Sequence, residues 1–354
     1  MCNSPLHQFL VDLPKCEHHV HIEGTMSAKL LFELAEKNSV TLPKDDPAFK
    51  SSESLESRYE NWKNLDDFLH YFFIGFSVLI TESDFELLTY DHLQNVYGQG
   101  VRHTEIFFDP QMHIERGISY ATVIAGMTRG RQRAMEEFGN LTVEFIPCLV
   151  RHLPVPSALS MLDEVVKAGH FADGTVLGFG MSSTEKGMHP SLFAPVYDAA
   201  KQASITNLTA HCGEEGPAAY VRDGISQLGI TRVDHGRRAV EDDELIEQLA
   251  RDGTMLTLCP WSNLVLQGIE KIEDLPVRRF LDAGVRFSIN SDDPGYQGGD
   301  LLRSFCAVQE AFDLSVDEWV TISENAISGS WCSDDRKNSL RAGLKDVVDA
   351  WGKA

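Results

Sequence analysis

Short apolar, β-rich runs return eight times along this chain, each followed by a stretch with helical spacing, and that alternation limits the fold more than any other feature. The runs fall at residues 12–19, 104–108, 141–149, 176–179, 207–210, 231–234, 255–258 and 286–289. Between them lie amphipathic segments such as 158–168, with Leu159, Leu162, Val165 and Val166 on one stripe, and 242–251, with Leu245, Ile246 and Leu249. Eight strand-then-helix units without a break in composition predict an α/β fold, a (β/α)8 TIM-type barrel rather than an open sheet. No linker interrupts the pattern, so residues 1–354 are expected to form one domain, with closing helices after Asp300. The first unit is too long. Residues 27–98 intervene before the second strand and include Leu65-Asp66-Asp67-Phe68-Leu69-His70-Tyr71-Phe72-Phe73. An insertion after strand one stands on the catalytic face of a barrel, so a helical lid or pocket wall is expected there. Most of its aromatic stripe is expected to pack helix against helix rather than meet a ligand.

Charge narrows the partners. The chain has 31 basic and 53 acidic residues, a formal charge of −22, which disfavours nucleic acid and anionic membranes and leaves a neutral small substrate open. No apolar run is long enough to span a bilayer, and the first residues lack the basic and apolar regions of a secretory signal. Seven cysteines, at 2, 16, 148, 212, 259, 306 and 332, are odd in number and form no Cys-x-x-Cys. That pattern suits free thiols in a reducing compartment, so the cytoplasm is the expected location, with the nucleus open as well.

His19-Val20-His21 carries the first sign of chemistry. Strand side chains alternate, so two imidazoles at i and i+2 point the same way. With a third imidazole and a carboxylate they would make a ligand set for a divalent metal of the zinc type. A lone His-x-His is more often an ordinary pair, and the later sites are what strengthen it. His211 and Glu214 follow the fifth run, His235 the sixth, and Asp292-Asp293 the eighth. These are the carboxyl ends of strands, where barrel enzymes build their sites. His18 is expected to face the helix layer, while His7, His70, His92, His103, His113, His152 and His170 read as ordinary core, helix or loop residues, and Cys212 as a small filler.

The motifs Leu13-Pro14-Lys15-Cys16-Glu17-His18-His19-Val20-His21-Ile22-Glu23-Gly24-Thr25, His211-Cys212-Gly213-Glu214, Asp234-His235-Gly236 and Ser288-Ile289-Asn290-Ser291-Asp292-Asp293-Pro294 resemble the adenosine/adenine deaminase family of metal-dependent hydrolases. Two more stretches, Glu105-Ile106-Phe107-Phe108-Asp109-Pro110-Gln111-Met112-His113 and Leu177-Gly178-Phe179-Gly180-Met181-Ser182-Ser183-Thr184-Glu185, look like its adenine deaminase branch. The resemblance implies one Zn²⁺ per chain on His19, His21, His211 and Asp292. It also implies Glu214 as proton donor to the ring, and His235 as the group that orients the attacking water and accepts its proton. Asp293 would meet the purine N7, and the backbone N–H near Ser183 the ring N3. Glu23 stands where the nucleoside-specific branch carries Asp, and its extra methylene would reach into space that a ribose needs. Two departures concern the pocket: Ser182, where the branch usually has Asp, and the residues around Tyr296 in Gly295-Tyr296-Gln297-Gly298-Gly299.

The implied reaction is zinc-dependent hydrolysis of adenine to hypoxanthine and ammonia in purine salvage, with purine and water as partners, no nucleic acid or membrane, and the oligomeric state left open. Deamination of adenosine or an N6-substituted purine is the alternative. The chemistry is coherent, since a bound zinc makes a nucleophile of water at neutral pH and a carboxylic acid can protonate the ring. A phosphotriesterase-like hydrolase would want a lysine at the end of strand four, where Gly178-Phe179-Gly180 stands and Lys186 lies out in the loop. A metal-stabilised protein that had lost activity would lack an acid or a ligand, and none is missing. The cytidine-type zinc signature is absent.

Overall fold

The computed structural model describes residues 2–353. Eight strands appear in order: β1 (Lys15–Glu17), β2 (Val101–Phe108), β3 (Thr142–Val150), β4 (Gly180–Ser182), β5 (Thr209–Cys212), β6 (Arg232–His235), β7 (Met255–Leu258) and β8 (Phe287–Ile289). All pairings are parallel, β1 to β4 in one sheet and β5 to β8 in a second. Single bridges, Phe179 with Leu208 and Val20 with Asp292, join the two sheets at both seams and close the barrel.

Two expected runs shift. Residues 12–19 do not form one strand: a short helix, His7–Asp12, comes first, and β1 starts three residues later. Pro14 accounts for this, because the residue before a proline is driven out of the helical region and the chain extends from there. In the fourth unit, residues 176–179 precede the strand. Leu177 donates to the Phe145 carbonyl at 2.8 Å and Phe179 to the Asn207 carbonyl at 2.9 Å, so the segment bridges two neighbours before β4 pairs regularly with β3.

The insertion folds as helices Ala28–Lys37, Ser52–Tyr59, Leu65–Phe76 and Glu82–Gly98. Asn64 caps the third by accepting from the Asp67 N–H, with Asp66 and Asp67 in the positive first turn. The fourth lies against helix Tyr120–Phe138 across Gly126 and Gly130. A Cβ at Gly126 would fall 2.3 Å from the Glu82 carbonyl oxygen, so only glycine admits so close a crossing. Helices Leu301–Phe312, Val316–Gly329 and Asp334–Trp351 follow the barrel as expected. Among the described residues no helix is long and apolar enough to cross a membrane.

Inside the barrel, at the end away from the histidines, Glu105 and Arg232 form a buried pair at 2.6 Å. His103 Nε2 and the Trp331 N–H meet Glu105 Oε1 at 3.0 and 2.5 Å, and the guanidinium lies over the Trp331 ring. Burial alone would raise the Glu105 carboxyl, but Arg232 and the nearby imidazoles outweigh it and hold the group well below the usual carboxylate range.

Candidate active site

After β1 the chain stays extended between two neighbours. The His21 N–H donates to the Asp292 carbonyl at 3.0 Å, and the Asp292 N–H to the His19 carbonyl at 3.0 Å. This pairing turns His19 and His21 the same way, as strand alternation requires. His211 lies within β5 and His235 ends β6, so β5 runs two residues and β6 one residue beyond their apolar runs. His19 Nε2 and His21 Nε2 stand 3.2 and 3.5 Å from Asp292 Oδ1, and His21 Nε2 is 3.1 Å from His211 Nε2. One donor atom from each of the four residues lies within 4.8 Å of the others. The outer nitrogens are oriented from behind, His19 Nδ1 by Thr257 Oγ1 at 2.8 Å and His211 Nδ1 by Asp234 Oδ2 at 3.4 Å.

The electrostatics suit a cation. Burial, then neighbouring imidazoles, push His21 and His235 well below the ordinary histidine value, leaving their nitrogens neutral with lone pairs free. Burial would raise Asp292, yet His19 beside it, through charge and a hydrogen bond, holds it well below the usual range, so it is a carboxylate. His19 Nε2 is buried without a hydrogen-bond partner. Imidazole nitrogens crowded around one anionic oxygen fit a divalent metal of the zinc type, and hydrogen bonding alone does not explain them.

Glu214 reaches the same point. Its Oε2 is 3.5 Å from His235 Nε2, and burial, then the Asp292 charge, raise its carboxyl well above the ordinary value. Asp293 is raised in the same way, by burial and then Asp292, and its Oδ1 has no partner. A Cβ at Gly24 would stand 1.9 Å from that oxygen, which is why the chain after His21 must pass as glycine here. Ser183 adjoins them, its hydroxyl 2.8 Å from His152 Nδ1. These groups line one side of a cavity together with Asp109 and Ser182. The other side is the inserted helix, through Leu65, Phe68, Leu69, Phe72 and Phe73. The aromatic stripe therefore does both jobs: Phe68 stacks on Phe72 and meets Trp62 edge-on, while the same rings close the cavity. Tyr296, fully buried, braces Phe68 and Phe72 from behind.

Residues 14–347 match the adenosine deaminase family. This chain belongs to that family. An adenine deaminase of Gibberella zeae is 49% identical over 351 residues, 99% of each chain. One of Saccharomyces cerevisiae is 45% identical over 345 residues, covering 96% of this chain and 97% of its own. The solved structure of an adenine deaminase from Arthrobacter aurescens superposes with a TM-score of 0.88 at 36% identity, over 97% of this chain and 100% of its own. As a member of the adenosine deaminase family the chain is an enzyme, a hydrolase.

Three contributors to this deaminase-family site had no role in the sequence reading. Glu185, buried, accepts the N–H groups of Gly213, Glu214, Glu215 and Gly216 at 2.7 to 2.9 Å, with Arg151 3.8 Å away. It thereby shapes the loop that aims Glu214. Asp109 lines the cavity and accepts from the Ser182 hydroxyl at 2.8 Å. His113, read as an ordinary helical residue, binds Glu23 Oε1 through Nε2 at 2.9 Å, and the same oxygen takes the Asp109 N–H at 3.1 Å. Glu23 is buried, and burial raises its carboxyl to about 7. It stands one step behind the cavity, not on its lining. All three residues fall inside the motifs that carry the family resemblance, which was the only available signal.

Proposed function

We propose that this enzyme hydrolyses adenine to hypoxanthine and ammonia with one zinc ion, in the cytoplasm, as a step of purine salvage. The observation that carries the reading is the convergence of His19, His21, His211 and Asp292 with Glu214 and Asp293 on one small cavity with an aromatic wall. The full-length relatives named adenine deaminases support the base as substrate.

Held by the three imidazoles and Asp292, a zinc ion would contribute its acidifying effect on water, so that a nucleophile exists at neutral pH. The remaining work falls to the chain. His235 orients the attacking water and takes its proton as the oxygen adds to C6. Glu214, kept protonated by burial, gives its proton to N1, so that the ring accepts a tetrahedral carbon. The C6–N bond then breaks as His235 passes the water's proton to the departing amine, and the proton left on the added oxygen returns to Glu214 as the carbonyl forms. Asp293, protonated for the same reason, donates to N7. The backbone N–H at Ser183 is offered to N3, and Phe68 and Phe72 keep bulk water from the ring.

Selection for a free base rests on Glu23. Clamped by His113, it holds Asp109 against the cavity at the end where a ribose would lie. Ammonia release from adenine, adenosine and N6-methyladenine tests this, in the wild type and in Glu23→Asp. Adenine should have by far the highest kcat/KM, and the shortened side chain should raise adenosine relative to adenine. A wild-type preference for adenosine would overturn the reading and install the nucleoside alternative.

A further inference from the structure

We infer that Cys2, His7 and Cys306 form a second metal site, which takes a thiophilic divalent cation of the zinc type and pins the start of the chain to helix Leu301–Phe312. The three residues come from opposite ends of the sequence, yet one donor atom from each lies within 4.8 Å of the others. Cys2 and Cys306 are buried and both are free thiols. His7 Nδ1 stands against the two sulfurs at once, 3.2 Å from Cys2 Sγ and 3.6 Å from Cys306 Sγ. A single imidazole nitrogen has one lone pair or one hydrogen, so hydrogen bonding satisfies at most one of these contacts well. The same crowding of donors marks the catalytic set, where His21 and His211 bring ring nitrogens to 3.1 Å. The Cys148 thiol, by contrast, hydrogen-bonds only locally, to the carbonyl of Ile146.

Two thiolates and an imidazole are three of the four ligands that zinc takes in a tetrahedral site, and they are soft enough to exclude magnesium and calcium. Their open side faces a surface cavity that Asp300 and Glu310 also line, leaving water or a carboxylate for the fourth position. Binding would release the two thiol protons and form two metal–sulfur bonds, with no change of oxidation state. The site is separate from the catalytic set, to which it contributes no residue, so it stands or falls apart from the choice of substrate.

Cobalt(II) provides the test, because thiolate ligands give it an intense near-ultraviolet charge-transfer band that an imidazole and carboxylate set cannot. The metal-free protein titrated with cobalt should bind about two equivalents and develop that band with one of them, as expected for soft thiolate ligation. Cys2→Ser and Cys306→Ser should each lose the band and about one equivalent while the catalytic site keeps its own. The band is read on the wild-type chain, so a variant that fails to fold does not remove the test. Binding of one equivalent without the band would overturn the inference, as would recovery of Cys2 and Cys306 as a disulfide.

Discussion

Ser183, His235 and Asp292 hold φ of 79°, 60° and 69° without being glycine, and all three line the cavity. Side chains rarely adopt that region, at a cost of roughly 1–3 kcal/mol each, and it persists where surrounding structure over-determines it. Here the strands supply that constraint, and the strained backbone aims the groups that must converge. Glu214 depends on another device, the four N–H bonds to Glu185 that fix its loop. Glu214→Gln should keep fold and metal but lower kcat by about 10²–10⁴-fold, since only the ring's proton donor is removed. Ammonia release beside metal analysis checks it, and a variant within a few-fold of wild type would move the acid role elsewhere. His21→Ala removes one of four donors at 3.1 to 3.5 Å and should cost the catalytic metal together with activity. Full turnover in a chain without that metal would end the hydrolytic mechanism proposed above.

At the scale of elements, the insertion is what converts an open barrel mouth into a cavity. Helix Leu65–Phe76 gives one face to Trp62 and Tyr296 and the adjoining rings to the substrate side. The next helix, Glu82–Gly98, carries His92, buried with Nε2 unpartnered, and burial alone lowers its pKa to about 4. Its folded value lies below its unfolded one, so between pH 6.5 and about 4 the unfolded chain binds more protons. Stability from the neutral imidazole is complete above that window and is lost as pH falls through it. Between pH 7 and pH 5 the loss is roughly 2 kcal/mol, from the spacing of the two values. His92→Leu should flatten this part of the acid dependence in urea unfolding. An unchanged difference between pH 7 and pH 5 would show that His92 is hydrated and titrates normally.

For the molecule as a whole, the barrel is closed chemically as well as geometrically. Glu105 on β2 and Arg232 on β6 cross its interior, sealed by Trp331 from the connection after helix Val316–Gly329. Breaking a buried pair leaves an uncompensated charge, typically at a cost of 3–5 kcal/mol. Glu105→Gln should therefore lower the stability in urea unfolding by about that amount, with Arg232 left without its carboxylate. A loss below about 1 kcal/mol would mean that the guanidinium finds another partner.

What the sequence by itself determined rests on short-range geometry. Period-two alternation sets His19 and His21 on one side of an extended chain. The eight-fold alternation of strand and helix brings His211, His235 and Asp292 to the same end of a parallel barrel. Both follow from spacing along the chain, which needs no knowledge of distant neighbours. Only the tertiary structure decided the rest. Whether the stripe Phe68–Phe73 faces other helices or a cavity cannot be read from its periodicity, because both surroundings are apolar. Glu185 under the Glu214 loop and His113 behind Glu23 are pairings across 28 to 90 residues, and no local pattern encodes which buried donor a buried carboxylate will meet. Such partners are chosen by the packing of strand ends that only the closed barrel brings together.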